Sequence, residues 1–95
     1  MAPAVVPKVG RPLVYSTTWC GDCVRASRVL RAENVEYDEV NIDRDAAAAD
    51  LVVSLNRGMR SVPTIVFPDG SLLVEPSNAT LKAKVEQLRE AGLLT

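Results

Sequence analysis

The two cysteines of this 95-residue chain, Cys20 and Cys23, lie three positions apart and are its only thiols. A pair at this spacing can close a disulfide and open it again, and in a reducing compartment such pairs are more often catalytic than structural. A structural zinc ion needs four ligands, whereas the chain has no further cysteine and no histidine. The absence of histidine also excludes Ser-His-Asp and Cys-His catalysis. The residue types therefore favour thiol–disulfide exchange, with a pair of inert buried cysteines as the alternative.

The elements around the pair give its two thiols different roles. Residues 13–16 form a short β-prone run, and a helical pattern begins at the cysteines. A helix N-terminus carries unpaired N–H groups and partial positive charge, so we expect the pKa of Cys20 to lie below that of a free cysteine. Cys23 falls one turn later, on the apolar face that it shares with Ala26, Ser27 and Leu30. The pattern predicts that Cys20 attacks a substrate disulfide and that Cys23 resolves the product.

The rest of the chain predicts an α/β fold in the order β-α-β-α-β-β-α. The strands are expected at residues 13–16, 37–42, 61–67 and 72–74. The second helix begins at Asp43 or Asp45 and ends near Gly58, with an apolar stripe of Ala47, Ala48, Leu51, Val52 and Leu55. Ser77 or Asn78 is a suitable N-cap for the third helix. The first strands are expected to pair in parallel, and the last two form a hairpin through the turn at residues 68–71.

Length, charge and the N-terminal segment restrict the class of protein. A chain of 95 residues is long enough for one domain, residues 1–95. Eleven basic against twelve acidic residues argue against a nucleic acid or a membrane surface as partner. The proline-containing segment Met1–Pro12 has no apolar run typical of an export signal. We therefore expect a cytoplasmic monomer.

Two segments resemble the glutaredoxin family, with glutaredoxin-like mycoredoxins of actinobacteria as the nearest group. They are residues 15–23, YSTTWCGDC, and residues 61–64, SVPT, which precede a D-G-S turn. The resemblance extends from residue 13 to residue 88. It implies a thioredoxin fold, in which a central four-stranded mixed sheet is flanked by three helices. It also implies that Pro63 follows a cis peptide bond and that the backbone of Val62 pairs with a peptide-like thiol substrate.

The resemblance further implies an enzyme that reduces mixed disulfides between proteins and a low-molecular-weight thiol. This thiol, which is mycothiol, glutathione or a similar compound, acts as co-substrate, with no tightly bound cofactor and no metal. The other partners are thiol-modified proteins and a flavoprotein reductase. One alternative is a dimeric carrier of a [2Fe–2S] cluster held by Cys20 and external thiols. The other is a general protein disulfide reductase of the thioredoxin type.

Five further residues are candidates for substrate binding. Trp19 offers a platform for substrate or covers the first turn of the helix. Gly21 and Asp22 lie between the cysteines, and the Asp22 carboxylate is expected to oppose a thiolate at Cys20. By the resemblance, Arg60 binds a substrate carboxylate; otherwise it is an exposed loop residue. Ser77 caps the third helix, whose N–H groups can also bind a carboxylate.

Three arginines at positions 25, 28 and 31 follow one face of the first helix. This face is either a solvated stripe or a docking surface for acidic partners.

Overall fold

Three helices and four strands make up the part of the chain, residues 9–95, that the computed structural model describes. Met1–Lys8, part of the segment that carries our expectation about export, lies outside the described residues. The order of elements is the predicted one. The elements are β1 Leu13–Ser16, α1 Gly21–Ala32, β2 Asp38–Asn41, α2 Ala46–Leu55, β3 Thr64–Val66, β4 Leu72–Val74 and α3 Asn78–Glu90.

The four strands form one mixed sheet in the order β2-β1-β3-β4. β1 and β2 run parallel, while β3 runs antiparallel to β1 and forms a hairpin with β4. The hairpin turn contains Gly70 at φ +85°, a left-handed backbone conformation that glycine adopts at little steric cost. This topology confirms the expected thioredoxin fold and brings the carboxyl end of β1 to the start of α1.

The helices cover both faces of the sheet. On one face, Leu30 of α1 and Val85 of α3 pack with Val14 and Ile65 of the sheet, and all four side chains are buried. On the other face, Val52 of α2 is buried in a second apolar cluster of side chains. Burial of each such side chain contributes about 1.5–3 kcal/mol, which fixes α1 on the sheet and thereby positions its N-terminus.

Each helix begins at a side chain that caps its free N–H groups. Asp45 accepts a hydrogen bond from the Ala48 N–H at 3.0 Å, and Ser77 accepts one from the Thr80 N–H at 3.1 Å. These are two of the caps expected from the sequence, where Asp43 and Asn78 were the other possibilities. Cys20 caps α1 in the same way, through its sulfur.

Two details of the expected pattern are wrong. The third strand is shorter than residues 61–67 because Pro63 has no N–H to donate and the Phe67 N–H bonds to Ser71 in the turn. Ala47 is exposed, although it was assigned to the apolar stripe of the second helix. In α2 the residues that reach full burial are Ala48 and Val52, which are spaced by one turn.

Two features are absent from the described part of the chain, a membrane-spanning helix and a cluster of metal ligands. Within residues 9–95 no helix has the length and apolar character needed to span a membrane. In that same part of the chain, no three acidic, histidine or cysteine side chains cluster as metal ligands.

Candidate active site

Cys20 lies between the end of β1 and the first turn of α1. Its backbone is extended, with φ −96° and ψ 105°, as is usual for an N-cap residue. The Cys23 N–H donates a hydrogen bond to the Cys20 sulfur at 3.0 Å. A helix N-terminus and a direct N–H donor both stabilise negative charge on this atom. The side chain is half-buried, so its sulfur is within reach of a partner.

Cys23 forms a disulfide with Cys20, and the two Cα atoms are 5.1 Å apart. In contrast to Cys20, it is buried, with 3% of its surface exposed, because it lies on the face of α1 that packs on the sheet. The pair can therefore cycle between dithiol and disulfide within one helical turn. Only one of the two sulfurs is open to a protein substrate.

The loop before β3 forms the other wall of the site. The Val62–Pro63 peptide bond is cis, as the resemblance implies. The carbonyl oxygen of Val62 lies 3.8 Å from the Cys20 sulfur. Pro63 is buried, and its carbonyl accepts a hydrogen bond from the Glu75 N–H at 2.9 Å, which extends the ladder between β3 and β4. The backbone of Val62 is thus held beside the reactive sulfur.

Asp22 and Arg25 connect the start of α1 to the start of α3. The Arg25 guanidinium donates to the Asp22 carboxylate at 3.2 Å and to the Asn78 side-chain oxygen at 2.9 Å. A further N–H of Arg25 lies 3.4 Å from the Pro76 carbonyl oxygen. The negative charge next to Cys20 therefore has a positive partner. Arg25, assigned above to a solvated stripe or a docking surface, instead belongs to the surroundings of the site.

The remaining candidate residues lie around this centre and differ in their exposure and in their hydrogen bonds. Trp19 is 93% exposed, and Gly21 is exposed beside it. Ser77 is engaged as the α3 cap. Arg60 forms an ion pair with Asp43 at 2.6 Å and contacts the Ile42 carbonyl at 3.4 Å. A substrate carboxylate at Arg60 therefore has to compete with Asp43.

A polar cavity of about 460 Å³ adjoins the buried thiol between α1 and β2. Its walls include Cys23, Ser27, Tyr37, Glu39 and Asn41. The last four of these residues are not among the site residues predicted from the sequence. The signal was present in the periodicity, since Ser27 shares a helix face with Cys23 and residues 37, 39 and 41 alternate along one face of a strand.

Comparison with known proteins agrees with this geometry. Residues 13–73 match the family model described as glutaredoxin. A Mycobacterium tuberculosis protein that carries the name glutaredoxin is 47% identical over 75 residues, which are 79% of this chain and 89% of that protein. Mycoredoxin 1 of Corynebacterium glutamicum is 37% identical over 75 residues, 79% of this chain and 92% of that protein.

Among solved structures, oxidized glutaredoxin 2 of Chlamydomonas reinhardtii superposes with a TM-score of 0.67 and 29% identity. The superposition covers 88% of this chain and 84% of that one. The family model covers the sheet and the redox centre, and the relatives are of nearly equal length. The solved structure shares the fold, so the three comparisons agree. The chain belongs to the glutaredoxin family and is a thiol–disulfide oxidoreductase.

Proposed function

We propose that the protein removes a low-molecular-weight thiol from protein mixed disulfides, with Cys20 as nucleophile and Cys23 as resolving thiol. The Cys20 thiolate attacks the sulfur of the small thiol, and a new disulfide joins them. The protein substrate leaves as a thiolate and takes up a proton. The Cys23 thiolate then attacks the Cys20 sulfur, closes the disulfide and releases the small thiol.

Two electrons are needed to restore the dithiol. Two molecules of the free small thiol supply them and leave as their own disulfide, or a flavoprotein reductase supplies them. In a shorter route, a free thiol attacks the mixed disulfide on Cys20 directly, and Cys23 takes no part. These routes belong to compartments that keep thiols reduced, so we propose a cytoplasmic location.

The observation that carries this proposal is the difference in exposure between the two sulfurs. Cys20 is half-buried at the start of α1 and accepts the Cys23 N–H, whereas Cys23 is buried. A bulky protein disulfide can reach the first sulfur and not the second. The backbone carbonyl of Val62 lies beside the Cys20 sulfur, in a position to pair with the peptide part of a substrate.

Mycothiol is the small thiol that we propose first. The Corynebacterium relative is named mycoredoxin, and it aligns with most of this chain. In addition, residues 75–78, Glu-Pro-Ser-Asn, lack the Gly-Gly pair with which many glutaredoxins hold glutathione before the last helix. Glutathione is the alternative, and a turnover assay with proteins loaded with each thiol separates the two.

Serine variants of the two cysteines test the proposed roles. We expect Cys20→Ser to reduce release of the small thiol to background, because no other exposed thiol can attack. Cys23→Ser should retain roughly a third or more of the rate when free thiol is supplied, through the shorter route. The measurement is the rate at which the small thiol appears from a loaded client protein.

Cys23→Ala is the matched control, because it removes the thiol without introducing the hydroxyl of Cys23→Ser. The two variants should release the small thiol at similar rates. If both Cys23 variants are as inactive as Cys20→Ser, the protein works as a dithiol reductase of protein disulfides and the proposal is wrong.

A further inference from the structure

A buried hydroxyl lies at the start of β3, directly after the loop that carries Val62 and Pro63. It belongs to Thr64, which is fully buried in a strand whose other residues, Ile65 and Val66, are apolar. Valine has nearly the same shape and would need no hydrogen-bond partner in such a place. A buried hydroxyl has to be hydrogen-bonded, so the partners of Thr64 show which parts of the chain it connects.

Two hydrogen bonds connect this hydroxyl to the loop and to α2. The Thr64 hydroxyl donates to the Ser61 carbonyl at 2.8 Å and accepts from the Asn56 side-chain amide at 3.1 Å. The same amide nitrogen donates to the Val52 carbonyl, in the last turn of α2, at 2.9 Å. Both contacts of Asn56 require its N–H groups, which fixes the orientation of the amide and directs the Thr64 proton to Ser61.

The bond to Ser61 spans the two residues that lie beside Cys20. Ser61 and Thr64 flank Val62 and Pro63, so the Thr64 hydroxyl ties one end of this segment to the other. The ladder of β3 begins at Thr64, and Pro63 has no N–H to donate, so regular strand pairing does not fix Val62. Its carbonyl oxygen lies 3.8 Å from the Cys20 sulfur. A displacement of about 1 Å there is enough to misplace a substrate disulfide.

We propose that Thr64 and Asn56 are positioning residues, which hold the Val62 backbone where it can pair with the peptide groups of a substrate. The inference rests on the proposed function, which takes this backbone as the element that pairs with peptide. It adds the two side chains that set the position of that element from inside the fold. Thr64 acts through Ser61, and Asn56 acts through Thr64. The preference for substrates with peptide groups therefore depends on a chain of hydrogen bonds that ends at α2.

The test compares two symmetric disulfides, in which either sulfur carries the same group. The disulfide of N-acetylcysteine methylamide has peptide groups on both sides of each cysteine, and bis(2-hydroxyethyl) disulfide has none. Each oxidises the reduced protein to its Cys20–Cys23 disulfide and leaves as two free thiols. Mass spectrometry after acid quenching gives the second-order rate constants. Their ratio is divided by the same ratio for dithiothreitol, which corrects for the intrinsic reactivity of the two compounds.

The corrected ratio should be about ten or more in the wild-type protein, the order of gain expected from one or two hydrogen bonds. Thr64→Val and Asn56→Ala should each lower it about three- to tenfold, through a slower reaction of the peptide disulfide. Thr64→Ser keeps the hydroxyl and should retain most of the ratio. A change in the pKa of Cys20 alters both rates alike, so it cancels in the ratio.

Val66→Ala is the matched control, because it removes buried apolar contacts from the same strand and no hydrogen bond from the loop. Its corrected ratio should equal that of the wild type even though the protein is less stable. Asn56→Ala, at the end of a helix, keeps the test decisive should Thr64→Val fail to fold. A wild-type ratio near one overturns the proposal, and so do Thr64→Val and Asn56→Ala ratios equal to that of Val66→Ala.

This experiment and the test of the proposed function fail independently, because it uses neither a loaded client protein nor a cellular small thiol. If small thiols are released as proposed but the wild-type ratio is near one, the proposed function stands and the positioning roles are wrong. If both Cys23 variants are inactive in release but the ratio falls in Thr64→Val, the positioning roles stand and the mixed-disulfide route is wrong.

Discussion

At the scale of single residues, the sulfur of Cys20 experiences opposing electrostatic effects. The start of α1 and the Cys23 N–H at 3.0 Å favour a thiolate there. The carboxylate of Asp22, two residues on, opposes it, and the Arg25 guanidinium at 3.2 Å offsets that carboxylate. The sequence predicts that Asp22 opposes a thiolate at Cys20, and the structure adds the Arg25 guanidinium as the ion-pair partner of that carboxylate. We expect these two side chains, together with the start of α1, to influence how much of a reduced Cys20 is ionised.

Charge variants of Asp22 and Arg25 test this balance. In a Cys23→Ser background, Asp22→Asn should lower the pKa of Cys20, because it removes a negative charge. Arg25→Gln should raise that pKa, because it leaves the Asp22 charge without its partner. For partly exposed groups each change should alter the thiolate fraction by a factor of about 2–5. The measurement is the ultraviolet absorbance of the thiolate as a function of pH.

The double variant Asp22→Asn/Arg25→Gln serves as the control and should titrate close to the parent. If the single variants titrate like the parent as well, both groups are screened by solvent and have no role in tuning Cys20.

At the scale of elements, α3 is held against the β3–β4 turn by one ion pair. The Lys84 ammonium donates to the Asp69 carboxylate at 2.7 Å and lies 5.6 Å from the centre of the Phe67 ring. The Ser71 hydroxyl and N–H donate to the same carboxylate, at 2.6 and 3.0 Å. The hydrogen bond from Lys84 and those from Ser71 hold the pKa of Asp69 well below its usual range, at about 2. This contact adds to the buried apolar packing of α3, the helix whose first turn bonds to Arg25.

The stability that Asp69 contributes should depend on pH in a defined direction. Its pKa is lower in the folded chain than in the unfolded chain, so the contribution is complete above about pH 4. It is lost as the pH falls towards 2. Asp69→Asn should lower the free energy of unfolding by about 1 kcal/mol at pH 7, a modest value because the carboxylate is partly solvated. At pH 2 the difference from wild type should shrink to a few tenths.

Urea unfolding at the two pH values measures this difference. Asp50→Asn is the matched control, because Asp50 is exposed on α2 and forms no ion pair within residues 9–95. If Asp69→Asn lowers the free energy of unfolding by the same amount at both pH values, the conformation of the turn, and not the charge of Asp69, provides the stability.

At the scale of the whole molecule, the sequence was enough to predict the order of elements, the parallel first strands, the final hairpin and the redox pair, but not the antiparallel pairing of β1 with β3. The alternating and helical patterns of apolar residues reflect which face of each element is buried, so they can be read from the sequence. These patterns also place Cys20 at the N-terminus of a helix. The contact of Arg25 with Asn78 was not predictable, because it joins residues 53 positions apart and requires the packing of α1 against α3. The cavity beside Cys23 was not predictable for a similar reason. Its lining residues are regularly spaced along the chain, but the sequence does not show how far α1 lies from β2, and that distance creates the cavity.

The central claim, that Cys20 takes up a small thiol from a protein mixed disulfide, is tested most directly by intact-mass spectrometry. Reduced Cys23→Ser protein is mixed with a client protein loaded with mycothiol, and the reaction is stopped with acid. The account predicts that the mass of the variant increases by one mycothiol, bound at Cys20, while the client returns to its unmodified mass. A covalent complex between the variant and the client as the main product would contradict it, because Cys20 would then have attacked the client sulfur instead of the small thiol.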